Sequence, residues 1–133
     1  MALTKDRNTP MQDAELIAVP VASGAVCYAG GLATANATGY ATPGATATTL
    51  TYLGRFDEQV DNSGGADGDL LVTVRRGKAF KWKNAGTDAV TQASLGTPCY
   101  IVDDETVAAT DGSSTRSAAG VVVAIESDGV WVE

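Results

Sequence analysis

The chain contains no histidine, two cysteines in 133 residues, eight aromatic side chains and no long apolar run. Without histidine it lacks the usual general base for a serine or cysteine nucleophile and the commonest transition-metal ligand. Cys27 and Cys99 are too few and too far apart in sequence for a zinc ribbon. No stretch approaches the roughly 18 apolar residues of a membrane span, so no membrane association is expected. The opening MALTKDR meets charge before any apolar signal core, which fits an unprocessed protein made in the cytosol. No glycine-rich stretch ends in Gly-Lys-Ser/Thr, so nothing predicts a phosphate loop, and no cofactor is expected. A net charge of −7 repels polyanions at long range.

What is present is alanine, threonine, glycine and valine, in a length that suits one domain. Turn signals recur every few residues: Gly30-Gly31, 36–39, Pro43-Gly44, 62–65, Asp67-Gly68, 84–86, 111–114 and Asp128-Gly129. Between them lie short runs rich in Val, Leu, Ile, Thr and Tyr at 49–56, 70–75, 100–102 and 120–125. This rhythm predicts an all-β protein, a small β-barrel or sandwich of short antiparallel strands. The one helical candidate, TQASL at 91–95, is bounded by Gly96 and Pro98 and reads as a turn.

The first 22 residues read as an extended N-terminal arm, with one alternating piece at 15–21, ahead of a single β domain over 23–133. Leu3, Met11, Leu16 and Ile17 are the apolar side chains with which such an arm would anchor on a partner. Within the domain an internal echo predicts two related halves, 23–77 and 94–133. Gly24-Ala-Val-Cys-Tyr28 recurs as Gly96-Thr-Pro-Cys-Tyr100, and Leu53-Gly54-Arg55-Phe56 as Ala119-Gly120-Val121-Val122. Each half closes on an Asp-Gly-flanked strand, 68–74 and 129–133. The cysteines are read as small buried hydrophobes at matched positions, with a disulfide or a reactive thiol as the alternatives.

The acidic clusters predict little chemistry. Asp103-Asp104-Glu105 falls where two strands should turn, as a solvated hairpin tip. DNSGGADGD at 61–69 lacks the glycine and the terminal glutamate that an EF-hand loop requires, and reads as a mobile loop. No metal site is predicted.

The notable cluster is basic. VTVRRGKAFKWKN, 72–84, holds Arg75, Arg76, Lys78, Lys81 and Lys83. Alternation places Phe80 and Trp82 toward a core and Lys81 and Lys83 outward, with Arg75-Arg76-Gly77 as a bulge or tight hairpin. The same residues permit a single-stranded nucleic-acid-binding barrel if the two rings stand exposed as stacking platforms. Otherwise the cations form a contact surface for acidic regions of a partner protein.

The stretch from GAVCYAGG to VRRGKAFKW, followed by GTPCYIVDDETVAATDGSSTRSAAGVVVAIESDGVWVE, resembles the capsid cement, or head decoration, proteins of tailed bacteriophages, including Mu-like phages. The resemblance covers most of the chain after about residue 20. It implies a non-enzymatic virion protein, made in the host cytoplasm, that coats the capsid exterior and stabilises the head. The implied partners are the major capsid protein and neighbouring copies of the same chain, commonly as homotrimers at local threefold positions, with no specific nucleic acid. A tail or fibre accessory module is the alternative within a phage particle.

Overall fold

The computed structural model describes residues 1–133, and it is all-β. Twelve short strands run in chain order: β1 Leu16–Pro20, β2 Val26–Cys27, β3 Leu32–Ala35, β4 Ala41–Pro43, β5 Thr51–Phe56, β6 Val60–Asp61, β7 Leu71–Arg75, β8 Phe80–Asn84, β9 Pro98–Ile101, β10 Thr106–Ala108, β11 Ala118–Glu126 and β12 Gly129–Val132. The TQASL segment forms a single 3-10 turn, Gln92–Ser94. The strands fall into a five-stranded sheet ordered β1-β7-β5-β3-β4, a closed barrel ordered β8-β12-β11-β9-β10, and a small β2-β6 ribbon.

Set side by side, the sheet and the barrel have the same strand order, and each pairing repeats. In the first unit β1, β7, β5, β3 and β4 are joined antiparallel in succession. In the second, β8, β12, β11, β9 and β10 are joined in the same way. The barrel closes where β10 runs parallel to β8, and the first sheet curls until one parallel bridge, Val21 to Ala41, joins its ends at the corresponding place. The closing hydrogen bonds match: the Ala22 amide donates to the Ala41 carbonyl and the Ala85 amide to the Val107 carbonyl, both at 2.9 Å. Registers match as well, since Ile17–Val74 and Val19–Val72 correspond to Phe80–Val132 and Trp82–Val130. Leu32–Arg55 and Ala35–Ala41 likewise correspond to Pro98–Val121 and Ile101–Val107.

Each unit has its own core, built from the inward half of the alternation that strands impose. Val19, Val21, Cys27, Ala33, Ala41, Phe56, Val72 and Val74 fill the first. The second centres on Phe80, Trp82, Cys99, Ile101, Val107 and three valines of β11 and β12. A fully buried aliphatic or aromatic side chain contributes about 1.5–3 kcal/mol, so small units of this kind depend on few residues.

The structure revises several expectations. The arm does not extend to residue 22: β1 is a paired strand, and Val19, Val21 and Ala22 are buried, because the alternation at 15–21 supplies a core face. The repeat boundaries shift too, since the first unit begins at β1 and the second at β8, ahead of residue 94. Cys27 and Cys99 are not equivalent: by register Cys99 corresponds to Ala33, while Cys27 sits in the β2-β6 ribbon, which the second unit lacks. Arg75-Arg76-Gly77 is neither a bulge nor a hairpin turn, because β7 and β8 belong to different units and this stretch links them, with Gly77 at φ 71°. The loop 61–69 is tied down. Asn62, nearly fully buried, donates through Nδ2 to the carbonyls of Ala22 and Ala66 at 3.0 Å. The carboxylates of Asp61, Asp67 and Asp69 accept from the amides of Ser63, Ser23 and Ala66.

Candidate functional site

Strand alternation positions the basic segment. In β8, Phe80 and Trp82 point inward at 9% and 4% exposure, with centroids 6.1 Å apart, while Lys81 and Lys83 point out. The Trp82 Nε1–H donates to the Tyr52 hydroxyl at 3.2 Å, and the Arg55 guanidinium lies 5.1 Å from the Phe80 ring centre. Both rings are therefore structural, and neither is presented as a platform on which a base could stack.

Four of the five cations are paired within the chain. Lys81 meets Asp128 at 2.9 Å, Lys83 meets Glu105 at 2.9 Å, Lys78 meets Glu15 at 3.0 Å, and Arg75 meets Asp57 at 3.3 Å. Arg76 makes no ion pair; its backbone amide donates to the Glu15 carbonyl. The hydrogen bond from Arg55, then that from Arg75, holds the Asp57 carboxyl below its ordinary value. Asp128 and Glu105 raise Lys81 and Lys83. The basic contact surface expected from the sequence is thus interleaved with acids, because folding brings Glu15, Asp57, Glu105 and Asp128 against four of its cations.

The four candidate anchors divide into two pairs. Leu3 and Met11 lie in residues 1–14, which are exposed throughout and make no backbone hydrogen bond to the domain. Leu16 and Ile17 belong to β1, where Ile17 packs against the first core and Leu16 stays 46% exposed. Apart from the bridge at Val21, this strand is paired only along its β7 side.

Both cysteines are free and buried, and burial pushes the Cys27 thiol up to about 11 and the Cys99 thiol up to about 12. Neither is a nucleophile at neutral pH. The acidic tip 103–105 does lie at the β9-β10 turn, yet it is more than solvated surface: the Asp104 carbonyl accepts from the Leu32 amide at 2.7 Å. With Tyr28 and the Gly30-Gly31 turn, Asp104 and Glu105 border a shallow open groove between the units. No general base, nucleophile and orienting group converge there.

One surface was not singled out from the sequence. Leu95, Val121 and Val123 are 48%, 40% and 41% exposed, and Pro98, directly paired with Val121, is exposed beside them on the outer face of β9 and β11. In a continuous apolar run such as GVVVAI, no alternation tells the outward valines from the inward one.

Comparison with known proteins finds no matching family model, curated protein or solved structure.

Proposed function

We propose that this protein is a structural virion component, a cement or decoration subunit that binds the outside of an assembled tailed-phage head and reinforces the shell. The observation that carries the proposal is the N-terminal segment. Residues 1–14 stand free of the domain, display Leu3 and Met11 at 71% and 98% exposure, and lead into a strand with an open side. Such a segment gains its affinity by main-chain pairing and side-chain anchoring when it meets another surface. The two β units form the folded body that the segment tethers, and repetition over a lattice multiplies modest individual contacts.

Incubating the purified protein with undecorated heads and imaging them tests the proposal. Ordered protrusions in register with the capsid lattice are the expected result, lost when residues 2–14 are removed. Bare heads at saturating protein would reject it. Binding confined to tails or fibres would move the protein to an accessory role elsewhere in the particle.

A further inference from the structure

Within one chain the first unit covers part of the second by a directional contact that joins apolar burial to polar bonds. Leu32, on the outer face of β3, is fully buried in the core of the second unit. Beside it Tyr52 bonds to Trp82 and Arg55 lies over Phe80. By the registers above, the positions equivalent to Leu32, Tyr52 and Arg55 in the second barrel are Pro98, Ala118 and Val121. Those equivalent to Phe80 and Trp82 in the first barrel are Ile17 and Val19. The surface donated by the first barrel and the surface offered by the second occupy different positions on the shared fold, so the packing is head to tail. It leaves the outer face of β9 and β11 uncovered on the second unit, and Ile17, at the Phe80 position of the first, only half-buried.

From this we infer that the outer face of β9 and β11 docks the first barrel of a second copy, continuing between chains the packing seen within the chain. The side chains on these two faces are matched in character. Where the internal contact sets Arg55 over Phe80 and joins the Tyr52 hydroxyl to Trp82, the continued contact sets Val121 over the half-buried Ile17, aliphatic on both sides, while Val19, at the Trp82 position, is already buried in the first core. Pro98 has no amide to repeat the bond from Leu32 to Asp104, so this contact rests on apolar burial and is looser than the internal one. The exposed patch of Leu95, Pro98, Val121 and Val123 is what such a contact would cover. A head-to-tail interface closes into a ring when its rotation allows, and otherwise grows open chains.

Sedimentation over a concentration series tests this without any capsid present, so the outcome is separate from that of the cement proposal. The 13.5 kDa chain is expected to associate reversibly, and Val121→Lys to weaken association by about tenfold or more while leaving the circular dichroism unchanged. Mixed Ile17→Cys and Val121→Cys proteins are expected to cross-link to each other under mild oxidation. A wild-type protein that remains a single chain at all accessible concentrations would overturn the inference. So would association that Val121→Lys leaves intact, or Val121→Cys cross-linking to itself in preference to Ile17→Cys.

Discussion

Gly54 and Gly120 hold the same place in the two barrels, each at the bulge of its strand and each pressed against the last strand of its unit. A Cβ on Gly54 would run into the carbonyl oxygen of Arg75, and one on Gly120 into that of Glu133. Arg55 pairs with Arg75 as Val121 pairs with Glu133, so one steric demand is met twice by one residue type. Gly54→Ala and Gly120→Ala are each expected to destabilise the protein by about 2 kcal/mol or more, since backbone cannot yield as a flexible side chain can. Gly64→Ala, with nothing near its Cβ direction, is expected to change stability by less than about 0.5 kcal/mol. Urea titrations of the three variants check the contrast.

Two truncations separate the arm from the fold. Removing residues 2–14 is expected to leave thermal unfolding unchanged, because that segment buries nothing. Removing residues 2–20 also deletes β1 and with it Val19 and the pairing to β7, and is expected to unfold the first unit. Equal thermal stability of the two forms would show that β1 is dispensable.

The pH dependence has a definite sign on each side. Asp57 is held low by Arg55 and Arg75, Asp128 by Lys81, and Asp88 by Thr110 with help from Arg116. Their stabilising effect is complete above the ordinary aspartate pKa and is lost as pH falls through the lower folded-state values. Lys81 and Lys83 are raised, so their effect is complete below the ordinary lysine pKa and is lost as pH rises through the higher folded-state values. A thermal midpoint flat from roughly pH 5 to 9 and falling on both sides is expected. Asp57→Asn should lower the plateau while flattening the acid limb; an unchanged acid limb would remove Asp57 from the account.

Trp82→Ala is expected to cost about 3–5 kcal/mol, as removal of a buried ring does, and to free the Tyr52 hydroxyl from its partner. The intact protein is expected not to retain single-stranded DNA at physiological salt, since its rings are inside and four of the five cations of the segment are already paired. Tight binding with a steep salt slope, measured by fluorescence anisotropy, would contradict this.

Cys27 and Cys99 lie in separate cores and are expected to react with a thiol reagent only in denaturant, both together with unfolding. Labelling of either at native pH 7 would mean that its unit opens locally.

The strands were largely legible. Runs predicted at 49–56, 70–75 and 120–125 appear as Thr51–Phe56, Leu71–Arg75 and Ala118–Glu126, and the inward turn of Phe80 and Trp82 followed from alternation. The hairpin of β3 and β4 was not, because LATA and ATP carry a single large apolar residue, Leu32, and one such residue marks no period. The charge pairs were equally hidden: Lys81 and Asp128 are 47 residues apart, and only the β8-β12 pairing brings them together.

By itself the sequence determined an all-β chain with an N-terminal extension, and in β8 it set which residues face inward, because turn residues and side-chain alternation act over a few neighbouring positions. Only the tertiary structure decided that the strands make two matching five-stranded units, that the basic segment is largely neutralised, and that the outward valines of β11 stand uncovered. Strand order, ion pairing and the packing of one unit on another depend on contacts between residues far apart in the chain, and no local pattern records them.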